Sequence, residues 1–240
     1  MADNYLRMNG KLLKFNDKLL TITTGGGGAA YPTDGLLARF ALDDDLTDSY
    51  GSYTATNDTG TLTYTTGLIN KCGDFTGANI IETSIPSSIM EGLLSWSTSI
   101  WIKNPDTGGV SRPLTNFFSG GNWSNHTDPL ICQDSTLPVY GGNRAGNDLP
   151  NGVALGTDWH HFVTTYDGTT TKIFVDAATT PYTSEGNTTN IGAGNGKLYI
   201  GGIGKAGGHM IIAKMGLVYV YNKAISSDDI SALYNSGAGV

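Results

Sequence analysis

Trp159-His160-His161-Phe162-Val163-Thr164-Thr165-Tyr166-Asp167-Gly168, followed by Thr171-Lys172-Ile173-Phe174-Val175, is the stretch whose reading decides the fold. β-Branched and aromatic residues fill both runs. An Asp-Gly pair separates them, a strong short-range signal for a β-hairpin. Similar runs lie on either side: Leu62-Thr63-Tyr64-Thr65, Thr98-Ser99-Ile100-Trp101-Ile102, Lys197-Leu198-Tyr199-Ile200-Gly201 and Lys214-Met215-Gly216-Leu217-Val218-Tyr219-Val220-Tyr221. Many short strands at this spacing predict an all-β, two-sheet antiparallel jelly-roll sandwich. One helix is predicted near the end, from Ser226-Ser227-Asp228-Asp229 to Leu233-Tyr234. It opens on capping residues, its two aspartates suit the positive end of the helix dipole, and Gly237 is the expected stop.

Composition agrees. The chain has 240 residues, enough for one large β domain without disulfide or metal staples. Gly supplies 34 residues, about twice the average frequency, and Thr about thirty. The formal net charge is -7, with 14 Lys and Arg against 21 acids. That balance argues against nucleic acid and against an anionic membrane surface, both of which need clustered cations. The acids are 18 Asp and three Glu (Glu82, Glu91, Glu185). Two cysteines, Cys72 and Cys132, are read either as free or buried thiols or as a single disulfide. The chain opens without a charged and apolar leader, and no apolar run reaches the ~18 residues of a membrane span. Synthesis in the cytoplasm without general export is therefore expected.

The first residues differ from the rest. Leu12, Leu13 and Phe15, then Leu19, Leu20 and Ile22, form two short apolar runs around Asn16-Asp17, and Arg7, Lys11, Lys14 and Lys18 make the segment basic. Four consecutive glycines follow at 25–28. Residues 1–24 read as an arm or hairpin, 25–30 as a flexible linker and 31–240 as a domain. A hairpin this short is marginal alone. Either it adds to the sheet of its own domain or it anchors the domain to another chain.

Four stretches then match a known family. Gly35-Leu36-Leu37-Ala38-Arg39-Phe40-Ala41-Leu42-Asp43 with Thr47-Asp48-Ser49-Tyr50-Gly51 resembles an opening strand and its turn. Ser97–Lys103 resembles a central strand with an inward Trp, Trp159–Gly168 a well-marked hairpin, and Val220–Ser226 with Ala232–Asn235 the closing strand and helix. Together they resemble a laminin-G-like, concanavalin A-like jelly roll. The resemblance implies two antiparallel sheets face to face, with Trp101 and Trp159 in the core and Trp96 at its edge. It leaves function open, since such domains serve as lectins, glycosidases, adhesion modules and particle decorations.

Retaining glycosidases on this fold use two carboxylates about 5 Å apart, commonly Glu at alternate strand positions. The sequence has no such Glu pair, so no enzyme activity is expected. His160 and His161 are adjacent on a strand and point to opposite faces, so they cannot share a metal; one should pack inward and one be exposed. The resemblance implies a possible calcium near the opening turn, with Asp43, Asp45 and Asp48 as oxygen ligands. The family's closing strand usually carries an acidic pair after its Gly, whereas Leu217-Val218 follows Gly216 here. The alternative is solvated turn aspartates. Glycan binding is the leading chemical reading. Asn122, Trp123, His126 and Asp128, then Tyr140, Asn143 and Arg144, cluster aromatic rings for stacking with polar groups for hydroxyls, in what read as loops. The alternative is that Trp123 and Tyr140 plug the end of the sandwich.

The arm resembles the short N-terminal arms of phage virion proteins. The whole then reads as a bacteriophage structural protein on the virion surface, made in the host cytoplasm. The arm would meet capsid or tail proteins, the domain would display weak glycan sites, and a homo-oligomer would multiply them. No nucleic acid and no membrane insertion are expected. The other reading is a secreted or cell-surface bacterial carbohydrate-binding module.

Overall fold

The computed structural model describes residues 7–8, 11–12, 14–15, 18–19, 31–90, 94–106, 110–117, 127–133, 139–143, 157–181, 183–186, 196–203 and 209–240. The chain forms two compact units, Met1–Ala30 and Tyr31–Val240. In the first, β1 (Arg7–Met8) pairs antiparallel with β2 (Lys11–Leu12), and β3 (Lys14–Phe15) with β4 (Lys18–Leu19). The Asn16-Asp17 turn expected from the sequence lies outside the described residues. Of the six apolar arm residues, Leu12, Phe15 and Leu19 fall on these strands, while Leu13, Leu20 and Ile22 lie outside the described residues.

The second unit is built from β5 (Leu36–Phe40), β6 (Ala55–Thr59), β7 (Thr63–Thr66), β8 (Lys71–Thr76), β9 (Ile80–Pro86), β10 (Trp96–Asp106) and β11 (Val110–Phe117). They are followed by β12 (Thr127–Gln133), β13 (Val139–Asn143), β14 (Trp159–Tyr166), β15 (Thr170–Val175), β16 (Thr183–Gly186), β17 (Lys197–Ile200), β18 (Ile212–Tyr221) and helix α1 (Ser227–Tyr234). One sheet has eight strands in the order β16-β15-β14-β10-β18-β8-β7, with β5 also on β18. The other has six, in the order β13-β12-β11-β17-β9-β6. All pairings are antiparallel. This is the two-sheet sandwich that the 159–175 hairpin predicts, and that hairpin is β14–β15.

Strand alternation explains the layers. Ile100 and Ile102 of β10 and Met215, Val218 and Val220 of β18 meet Ile81, Leu114, Leu198 and Ile200 of the six-stranded sheet. The opposite face of the eight-stranded sheet is apolar too. There Trp101, Val163, Leu217, Tyr219 and Tyr221 are covered by Ile225, Ile230 and Leu233 from α1 and its approach. Each such fully buried side chain stabilises the fold by about 1.5–3 kcal/mol. Trp96, expected at the core edge, is fully buried, and Trp159, expected in the core, is half-buried.

Helix α1 is set by its first turn. Ser226 Oγ accepts from Asp229 N at 3.2 Å, and Asp229 Oδ2 accepts from Ser226 N at 3.0 Å, a reciprocal capping box. The helix ends before the expected Gly237, because Asn235 takes the left-handed conformation at φ 47. Cys72 is a buried free thiol on β8 of the larger sheet, while Cys132 belongs to β12 of the smaller one. Among the described residues no helix is long and apolar enough to cross a membrane.

At Gly201, just after β17, φ is +94 and a Cβ would stand 2.4 Å from the Phe75 ring, itself buried between the sheets. Gly201→Ala therefore adds both backbone strain and overpacking. It is expected to remove about 2–4 kcal/mol of unfolding free energy, measured by urea denaturation.

Candidate functional site

The polar and aromatic residues singled out in the sequence come from two separated segments. The antiparallel pairing of β12 with β13 joins the ends of those segments. Thr127 stands opposite Asn143, Asp128 opposite Gly142, and Ile131 opposite Tyr140. Asp128, Tyr140 and Asn143 are thus strand residues rather than loop residues. The Asn/Gly-rich run tolerates strand geometry because β13 is an edge strand, paired on one side by β12. β13 also lies against β15 of the eight-stranded sheet, so the two sheets approach each other there. Asn122, Trp123, His126 and Arg144 lie outside the described residues, next along the chain from this paired edge.

In the opening turn the aspartates accept hydrogen bonds from nearby backbone and side-chain donors. The Asp48 carboxylate accepts backbone N–H groups from Arg39, Tyr50, Gly51 and Tyr53, at 2.9–3.1 Å. Burial raises its pKa, but these four donors outweigh it and hold the carboxyl below its ordinary value. Asp43 accepts from Lys71 N and from the Asn70 amide, each at 3.1 Å, and Asp45 accepts from Thr47 N at 2.9 Å. Asp44 pairs with Lys71. Among the described residues no group of three or more His, Cys, Asp or Glu is gathered as a metal ion requires. Beside the turn lies a shallow depression of about 430 Å³, lined by Thr47, Asp48, Ser52, Tyr53 and Thr54 among others.

Glu82 of β9 is engaged with the next strand. Tyr199 O–H donates to its Oε2 at 3.0 Å, and Lys197 pairs with its Oε1. Burial, followed by that bond, pushes the Tyr199 hydroxyl pKa up. The two histidines divide as strand alternation requires. His160 is half-buried, with Nδ1 2.8 Å from Asp176 Oδ2, a partner absent from the sequence reading. The signal for it was positional: Asp176 follows the second strand of the hairpin, where the register brings it back beside β14. His161 is 1% exposed and forms a three-ring cluster with Trp101 and Tyr234, at centroid distances of 5.0 and 6.1 Å, while those two rings stack on each other at 5.6 Å. Its Nε2 lies 2.8 Å from Ser99 Oγ, and its Nδ1 has no hydrogen-bond partner among the described residues.

Burial lowers the His161 pKa to about 3. The unfolded chain protonates this ring near 6.5, but the folded chain does not. Its contribution to stability is complete above pH ~6.5 and is lost as pH falls toward 3, at up to ~1.4 kcal/mol per pH unit. Chemical denaturation between pH 7 and 4 should show this slope. It should flatten in His161→Phe combined with Ser99→Ala, which keeps the stack but cannot take the proton.

A family model described as the concanavalin A-like lectin/glucanases superfamily matches residues 78–231. No curated protein sequence matches the chain. Among solved structures, one similar in fold is domain 4 of AbnA, a GH43 extracellular arabinanase from Geobacillus stearothermophilus, in complex with arabinotriose. The TM-score is 0.60 at 16% identity, covering 85% of this chain and 98% of that domain. The binding domain of Paraclostridial Mosquitocidal Protein 1 gives 0.61 at 15% identity, covering 85% of this chain and 52% of that one. A Trypanosoma rangeli sialidase gives 0.63 at 19% identity, covering 91% of this chain and 35% of the sialidase. The chain therefore spans nearly all of the arabinanase domain, but about half and about a third of the other two. At these identities the likeness is one of fold.

Proposed function

The chain belongs to the concanavalin A-like lectin/glucanases superfamily, and on that footing we propose that it is a non-enzymatic, lectin-like binding protein displayed on a bacteriophage particle. The observation that carries the binding reading is the β12–β13 register. It pairs the described ends of two polar-aromatic segments at one sheet edge. Stacking on Trp123 or Tyr140, with Asp128 and Arg144 taking hydroxyls, is the ordinary chemistry of sugar recognition. A domain of the same fold holds arabinotriose, which supports glycans as the ligand class.

The non-enzymatic reading is supported by how the described acids are used. Glu82 is occupied by Lys197 and Tyr199, and the opening aspartates accept backbone and side-chain donors in turns. The particle reading is supported by the division into two units, the first with two short basic hairpins followed by four glycines. In this reading residues 1–24 meet a capsid or tail protein, 25–30 serve as the linker, and several copies of residues 31–240 turn weak sites into avidity. The extracellular arabinanase domain favours a second reading, a secreted or cell-surface binding module. Portal, capsid or tail genes beside this one would decide for the particle.

Two experiments test the proposal. On a glycan array, Trp123→Ala should weaken binding about tenfold or more, as loss of a stacking ring does, with the melting temperature unchanged. A large fall in melting temperature with no effect on binding would show that Trp123 is packing. Deleting residues 1–24 should abolish particle association and leave a folded domain. Full loading of the truncated chain would refute the anchor.

A further inference from the structure

The outer face of the eight-stranded sheet is only partly covered by α1. At the margin of the covered part, where Trp159 packs against the α1-side cluster, the registers align five residues across five adjacent strands: Trp159 of β14, Lys103 of β10, Lys214 of β18, Asp74 of β8 and Thr63 of β7. Cross-strand partners share a face, so this is one row about 19 Å long at ~4.8 Å per strand. Trp159, Lys103, Lys214 and Asp74 are half-buried and Thr63 is exposed. On the neighbouring strand positions Ile212 is 45% exposed, so the row borders an open surface.

Two features set the row apart. Lys103 and Lys214 stand directly opposite each other, an arrangement that like-charge repulsion disfavours. The chain has only 14 cations, yet two are placed together here. None of the ion pairs among the described residues involves Lys103, Lys214 or Asp74. That the charges share one side is supported by Cys72, two residues from Asp74 and on the same face of β8. Burial pushes its thiol up to about 11, Lys214 and Lys103 pull it down, and Asp74 pushes it up.

We propose that the row Trp159–Lys103–Lys214–Asp74–Thr63 is a binding site for a carboxylated, uronate-type oligosaccharide, separate from the β12–β13 edge. A sugar ring lying on the Trp159 indole would extend toward Lys103. One ring spans about one strand spacing, ~5 Å, so the next would reach Lys214. The two ammonium groups meet carboxylates on successive rings, and the ligand removes their mutual repulsion. Asp74 and Thr63 at the far end accept and donate hydroxyl hydrogen bonds, and Asp74 limits the number of anionic groups the row tolerates. A flat row of separate charges suits a repeating acidic polymer better than a single compact anion.

Calorimetric titration of the full chain with trigalacturonate at low ionic strength tests this, with maltotriose and inorganic phosphate as comparison ligands. Trigalacturonate should bind, and more weakly as salt is raised. Lys103→Gln with Lys214→Gln should lose affinity about tenfold or more, and Asp74→Asn should gain about threefold, as expected for removing attractive and repulsive charges near a bound anion. Trp123→Ala should leave this binding unchanged, so that failure at one site is distinguishable from failure at the other. The proposal is overturned if trigalacturonate gives no binding, or if maltotriose or phosphate binds as tightly. Unchanged affinity in the double glutamine variant would overturn it too. Should that variant unfold, the Asp74→Asn result decides alone: unchanged or weaker binding overturns the site.

Discussion

The structure depends on one strand, β18, having to satisfy two apolar faces and two edges at once. Along one edge it pairs with β10; along the other it pairs with β8 through Ile212–Met215 and with β5 through Val218–Tyr221. The change of partner falls at Gly216-Leu217. Leu217 takes φ +53, and its N–H donates to Ala41 O at 3.2 Å. A bulge here lets one strand hold two neighbours of different origin without leaving its backbone groups unpaired. A Cβ on Gly216 would stand 3.2 Å from that same carbonyl, which fits the use of glycine at the switch.

Because both faces of the larger sheet are apolar, a second layer is needed outside it. Helix α1 supplies that layer, and Val240, 5% exposed, is packed with it. The stack of Trp101, His161 and Tyr234 ties the helix to the two central strands β10 and β14. Arg39 closes the same face: its Nε donates to Tyr219 O–H at 3.0 Å, and its guanidinium lies 5.1 Å from the Tyr31 ring centroid. The cation is thereby used to join β5 and β18 to the start of the domain. A positively charged side chain in an aromatic setting can thus be entirely structural, and the same distinction separates Arg39 from the outer-row lysines, which take part in none of the ion pairs among the described residues.

Much of the fold could be read from short patterns. The β14–β15 hairpin, the run at β18 and the helix cap each rest on local chemistry: Asp-Gly at a turn, β-branched alternation, Ser and Asp at a helix start. The sheet order could not be read so, because register between distant strands is decided by which partner buries which face. The same limit explains the site. Asp128, Tyr140 and Asn143 looked like loop residues because Gly and Asn dominate their neighbourhood, and only pairing across β12 and β13 shows them as an edge. The Trp159–Thr63 row had no signal at all. Each of its members is ordinary within its own strand, and Trp159 looked like core because it opens the most strongly marked motif.

These constraints also say where recognition can reside. A sheet buried on both faces offers ligands its strand ends and margins, since opening either core face costs several buried aromatic side chains. The β12–β13 edge is the margin where the smaller sheet comes against β15. The outer row is the margin where α1 stops covering the larger sheet, one pair of positions beyond Trp101 and Gly216. At the first margin, Gly and Asn permit a polar edge, and the adjoining sequence is rich in hydrogen-bonding residues. At the second, strand alternation brings every other residue to the surface, so a single row can carry charge while its neighbours Ile102 and Met215 remain wholly buried between the sheets. The rigidity that places those charges comes from the core directly beneath them, so changing the row need not disturb the fold that presents it.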